Sequence, residues 1–192
     1  YADKNVNLAN FFGMIANIDH NVGQMRKFLD DEGLTENTIF IFTTDNGTSS
    51  GEKVFNSGMR GRKGSEYDGG HRVPFFIHWP KGNLTGGRDV EQITSYVDIV
   101  PTLADLCDVP TPKHVKFDGL SLVNPLHGIE EETWPDRILV TDSQRVKDPI
   151  KWRKSAVMTT QWRLNNGKEL YDIKADPGQK KNIAAAHPAV VK

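Results

Sequence analysis

Between Thr38 and Thr43 the chain reads Thr-Ile-Phe-Ile-Phe-Thr, a β-branched and aromatic run with no polar alternation. Such a run suits a strand covered on both faces, and it sets the terms for everything around it. Upstream, Leu8, Phe11, Phe12, Ile15, Ile18, Val22, Met25 and Leu29 recur at steps of three and four, which predicts a helix with one buried face, stopped by Gly33. A helix feeding a buried strand is half of an α/β repeat, so a mostly parallel sheet is the expected architecture.

Asp45 to Gly70 interrupts this pattern with an excursion rich in Gly, Ser and charge, too long for a simple connection and therefore a place to look for function. The chain then predicts a strand over Val73 to Trp79, a short strand at Ile93 to Tyr96, and a helix N-capped by Asp98 with Pro101 in its first turn, ending before Pro110 and Pro112. Leu103, Leu106 and Cys107 form the expected inner face of that helix. After a polar stretch from Glu130 to Asp136, the runs Ile138–Thr141, Ala156–Thr160, Trp162–Leu164 and Glu169–Ile173 read as short strands. Asn165-Asn166-Gly167 is a hairpin signal, and a helix is expected after Pro177. The expected division is residues 1–130, an α/β unit, and 131–192, a small antiparallel sheet closed by a helix.

Composition narrows the function classes. Hydrophobic residues at 37% and charged residues at 26% are those of an ordinary folded domain. The net charge of −1 gives no whole-chain basis for phosphate-backbone binding, so nucleic acid is not expected as a partner. No apolar run reaches the ~18 residues of a membrane helix. One cysteine, Cys107, excludes an internal disulfide and any multi-thiolate zinc site. The chain starts at Tyr1 without a signal-peptide pattern, and is expected to be cut from a longer one.

Two places carry chemical potential. Asp45, Asn46 and Gly47 follow the buried strand directly, where a carboxylate and an amide oxygen side by side are hard donors for calcium or magnesium, yet the same tripeptide is a common turn. From Gly58 to Pro74, five glycines with Arg60, Arg62 and Lys63 offer backbone amides and positive charge to an oxyanion; a flexible basic surface loop is the alternative. His20, His71 and His78 read as packing or capping residues and receive no catalytic role.

The order of segments resembles the C-terminal part of the type I sulfatases, the arylsulfatase-like branch of the alkaline phosphatase superfamily. The matching stretches are Ile18–Gly23, Asn37–Gly47, Arg62–Pro74, Val97–Thr102, Asp118–Leu122 and Glu169–Pro177. The resemblance implies an alkaline-phosphatase-like α/β sandwich, sulfuric ester hydrolysis in the parent enzyme, Ca2+ held in part by Asp45 and Asn46, and contact of Lys63 with the sulfate group, as a catalytic and substrate-binding residue. It further implies a sulfate ester substrate such as a sulfated carbohydrate, an N-terminal part of the same protein as partner, and a location outside the cytoplasm. The family's nucleophile is a formylglycine made from the cysteine of a Cys-x-Pro-Ser-Arg motif. Cys107-Asp108-Val109-Pro110-Thr111 does not have that pattern, so the chain is expected to be inactive alone, and with Asp45 and Asn46 as its only ligands it is expected to bind calcium weakly or not at all. Gln179 stands where an acidic residue is usual. A phosphomonoester, phosphodiester or phosphonate hydrolase of the same superfamily, and a non-catalytic module holding an anionic glycan near Trp152 and Trp162, are the alternatives.

Overall fold

The computed structural model describes residues 5–129 and 134–192. Helix α1 spans Val6–Asp31. Asn5 caps it by accepting the Leu8 N–H through its side chain at 2.9 Å, and Gly33 ends it in the left-handed region, with Leu34 N–H returning to the Leu29 carbonyl at 2.8 Å. Strand β1 is Phe40–Thr43, α2 is the single turn Asp68–His71 and β2 is Phe75–His78.

β1 and β2 pair antiparallel, Phe40 opposite His78 and Thr43 opposite Phe75, so this pair departs from the mostly parallel sheet expected of the α/β unit. The reason lies in the connection. A parallel return needs a crossover that carries the chain back to the start of the first strand, whereas the excursion after β1 stays at that strand's C-terminal end and contains only one turn of helix. The strand is also less covered than its composition suggests, all four residues of β1 being half-buried. On α1 no residue is buried; Ile15, Ile18 and Met25 of its apolar stripe are exposed, as are Met14 and Phe28 beside it. A cavity of ≈ 270 Å³ separates α1 from the pair, lined by Val22, Leu29, Phe40, Phe42, Phe76 and Ile77 among others.

The segment expected to be a strand at Ile93–Tyr96 instead leads into a 3-10 turn at Tyr96–Asp98, continuous with α3, Ile99–Leu106. Asp98 stands at the N-cap position of α3, but its side chain makes no capping bond to that helix. Buried completely, its carboxylate accepts the N–H groups of Ser95 and Leu120 and pairs with Arg137 at 2.8 Å. Cys107 falls just past the end of α3 and is exposed rather than turned inward, because the helix stops at Leu106. Helix α4 is Val123–His127.

The second sheet is antiparallel in the order β3 (Leu139–Asp142), β4 (Ser155–Met158), β5 (Trp162–Asn165), β6 (Glu169–Asp172). Asn166 and Gly167 both take positive φ and close the β5–β6 hairpin, as their dipeptide demands. One face, with Ala156, Met158, Arg163, Asn165 and Tyr171, is buried. The closing segment is shorter than expected, a 3-10 turn at Ala184–Ala186 and α5 at Pro188–Val191. The boundary expected between 130 and 131 lies outside the described residues. No helix among the described residues is long and apolar enough to cross a membrane.

Candidate functional site

The turn that leaves β1 is fastened to the excursion by main-chain bonds. Gly47 donates its N–H to the Gly70 carbonyl at 3.0 Å. A Cβ on Gly47 would stand 1.8 Å from the Gly69 carbonyl oxygen, so only glycine allows the two backbones to meet. One residue further, the Thr48 carbonyl accepts the Lys63 N–H at 2.9 Å, and the Tyr96 hydroxyl donates to the Thr44 carbonyl. The fold therefore gathers the backbones of Asp45, Asn46 and Lys63, eighteen positions apart in sequence, onto one end of the β1–β2 pair. Asp45 and Lys63 are exposed and Asn46 is half-buried. None of the three side chains has a hydrogen bond or ion pair among the described residues.

What holds the excursion is an ionic centre that the sequence reading did not single out. Asp68 is fully buried. Its carboxylate takes Arg163 Nε from β5 at 3.1 Å and has Arg72 at 3.7 Å, while its N–H donates to the Gln179 side-chain oxygen at 2.9 Å. Gln179, standing where an acidic residue is usual, is itself fully buried and also accepts Arg60 at its main-chain oxygen. His71 Nε2 lies 3.6 Å from Asp68. Burial holds the imidazole below its ordinary pKa; Asp68 opposes this and Arg163 reinforces it. Burial likewise lowers the pKa of the Arg163 guanidinium, against the pull of Asp68.

A second clasp joins the excursion to β6. Tyr67 and Tyr171 both donate to Glu169, at 2.8 and 2.7 Å, and Arg60 donates to both hydroxyls while its guanidinium stacks 3.8 Å above the Tyr67 ring. Burial together with the Glu169 charge pushes the Tyr171 hydroxyl up to about 12 and raises Tyr67 further. Burial pushes Glu169 upward too, but the hydrogen bonds from Tyr171 and Tyr67 and the charge of Arg60 outweigh it and leave the carboxyl below its usual range.

A signal for this bracing was present. Arg163 sits in a strand at a position whose same-face neighbours are Ala156, Met158 and Tyr171, and an inward arginine requires a buried acid. The histidines remain away from the turn and Lys63 in their contacts, His20 meeting Gln24 on the exposed face of α1. Trp162 stacks on His187 at 5.3 Å.

The chemistry of the donors fits one edge of a calcium shell. Asp45 and Asn46 supply two hard oxygens unspent on the protein, against the six to eight that calcium takes, and no cluster of three or more His, Cys, Asp or Glu suited to a metal exists among the described residues. Beside that edge, Lys63 offers an exposed ammonium to an anion.

Comparison with known proteins follows the same outline. The family model described as Sulfatase matches residues 2–109, and that described as N-sulphoglucosamine sulphohydrolase, C-terminal, matches residues 62–190. An arylsulfatase of Clostridium perfringens is 33% identical over 180 residues, covering 91% of this chain and 35% of its own. The crystal structure of Ps i-CgsB in complex with k-i-k-neocarrahexaose superposes with a TM-score of 0.84 at 25% identity, over 99% of this chain and 42% of that one. The phosphonate monoester hydrolase of Agrobacterium radiobacter gives a TM-score of 0.70 at 30% identity, over 94% and 38%. This chain thus spans well under half the length of the proteins it matches.

Proposed function

Because the chain belongs to the sulfatase family, we propose that it supplies one side of a sulfuric ester hydrolase site, with Asp45 and Asn46 as two calcium ligands and Lys63 as the cation that meets the sulfate. What carries this reading is the pair of main-chain bonds, Gly47 to Gly70 and Lys63 to Thr48, that ties the oxygen-bearing turn to the lysine-bearing loop. The ion, when bound, supplies positive charge to sulfate oxygens. The protein's own part is electrostatic and geometric. Lys63 donates to the transferring group and neutralises charge that grows as the ester bond breaks, and the glycine contacts behind it keep the lysine from drifting away from the turn.

The nucleophile comes from elsewhere in the parent, since these 192 residues contain no Cys-x-Pro-Ser-Arg motif. The division proposed is residues 1–130 as part of the catalytic domain and 131–192 as a small subdomain that braces it. The substrate class is a sulfate ester, with a sulfated carbohydrate preferred, and the parent acts outside the cytoplasm.

Placing Lys63→Ala and Asp45→Asn in the full reading frame tests this. Each is expected to lower kcat/KM for an aryl sulfate by about 10²–10³, with an unchanged melting temperature because both side chains are exposed. Activity within threefold of the unaltered enzyme would refute the assignment. The likeness to a phosphonate monoester hydrolase favours a second reading, so phosphate and phosphonate monoesters belong in the same assay; faster turnover of these than of sulfate esters would favour that reading.

A further inference from the structure

The connection between β3 and β4, residues 143–154, takes no part in the site described above. Five of its twelve residues are basic, Arg145, Lys147, Lys151, Arg153 and Lys154, against one acidic, Asp148. All five are exposed, and none has an ion pair among the described residues. A run of unpaired like charge normally repels itself into disorder, but this one is braced. The Gln144 amide donates to the Ile150 carbonyl at 3.0 Å and accepts the Ile150 N–H at 2.9 Å. Lys154 N–H donates to the Asn166 side chain at 2.9 Å.

At its centre is Trp152, with φ of 67°. A bulky side chain in the left-handed region is uncommon, and such backbone persists where the surroundings over-determine it, as at ligand clamps. Here the ring lies across the β5–β6 turn, so close that a Cβ on Gly167 would come within 2.8 Å of it. Even so, Trp152 remains 46% exposed, with Lys151 Nζ 5.2 Å from the ring centre.

The loop abuts the lysine-bearing excursion. Ser143 donates to the Gly64 carbonyl at 3.4 Å, one residue from Lys63, and Asn166, beside the glycine under the indole, donates to Glu66 at 2.6 Å. An aromatic face on a braced loop amid exposed cations, next to a sulfate-contacting lysine, matches a sugar polymer that bears several anionic groups: the ring stacks on the apolar face of a pyranose and the cations meet its sulfates.

We propose that residues 143–154 form a subsite for the part of a sulfated polysaccharide beyond the ester being cleaved, with Trp152 as its sugar platform. The inference rests on the Lys63 reading and extends it from a sulfate group to a polymer. Trp162, stacked on His187, is no part of it.

Calorimetric titration of the full-length protein tests it, with a dextran sulfate oligosaccharide as probe and unsulfated dextran, inorganic sulfate and poly-L-glutamate as comparators. Dextran sulfate is expected to bind more tightly than any comparator. Trp152→Ala should weaken it about tenfold, equivalent to about 1.4 kcal/mol, Trp152→Phe should restore it to within about threefold, and Trp162→Ala should leave it unchanged. Equal binding of poly-L-glutamate would overturn the proposal, as would full affinity in folded Trp152→Ala. Hydrolysis provides the separate readout. If Lys63→Ala leaves turnover of the full-length enzyme intact, the Lys63 reading fails whatever Trp152 does. If Lys63 is required and Trp152→Ala binds normally, the subsite alone is wrong.

Discussion

Replacing Arg163 with methionine removes the nearest cation from a carboxylate that has no solvent exposure. Asp68 would keep only Arg72 at 3.7 Å, reaching in from an exposed side chain, and a His71 imidazole whose pKa burial lowers. Breaking a buried pair on one side costs about 3–5 kcal/mol; the residual help from Arg72 puts Arg163→Met near the lower end, about 3 kcal/mol. Asp68→Asn should cost less, about 2 kcal/mol, because Arg163 retains the Thr159 and Trp162 carbonyls at 2.6 and 3.1 Å. With both changes together no charge is left stranded, so the double variant should fall short of the sum by at least about 1 kcal/mol. Urea unfolding followed by circular dichroism gives all three values. Amide exchange should report the locus, since the Gly69 and Gly70 N–H groups are bonded to Arg60 and Tyr67 within the excursion and should exchange faster in Arg163→Met. A cost under about 1 kcal/mol for Arg163→Met, or strict additivity, would refute the view that this pair anchors the lysine-bearing loop.

Gly47→Ala should destabilise by about 1–3 kcal/mol or more, since its Cβ meets backbone oxygen rather than a movable side chain; an unchanged unfolding midpoint would contradict the contact. Leu170→Ala, at a site with no exposure, should cost about 2–5 kcal/mol, against less than about 1 for Val140→Ala on the same sheet face at 64% exposure. For His71 the folded pKa lies below the unfolded 6.5, so the unfolded state binds the extra proton. Its contribution is complete above pH 6.5 and lost as pH falls toward the folded value, with a slope of at most about 1.4 kcal/mol per pH unit. Urea midpoints measured from pH 7.5 down to pH 5 should show that slope, and His71→Gln should flatten it; an undiminished slope in that variant would assign the loss to another group.

The turn residues, the hairpin at Asn166-Gly167, the Asn–Leu cap of α1's first turn and the Gly33 stop are local events, governed by dihedral preference and near-neighbour hydrogen bonds. For that reason the chain states helix α1 and the second sheet on its face, and the resemblance carried by Asn37–Gly47 and Arg62–Pro74 points to the right family. The same motifs identified Asp45, Asn46 and Lys63 as candidates without saying what would bring them together.

Direction and coverage were different matters. Antiparallel pairing of β1 with β2 depends on where the intervening loop returns, and the bareness of α1's apolar stripe depends on what packs there, neither of which periodicity encodes. Cys107 turned out to be exposed because one residue decides whether a position lies inside or past a helix end. Asp68 lies 95 positions from Arg163 and 111 from Gln179, and their partnership is a statement about which buried charge meets which. Sequence alone set the local conformations and the inventory of chemical groups. Only the tertiary structure chose their neighbours, because the cost of burying a charge is met by whichever partner the fold delivers.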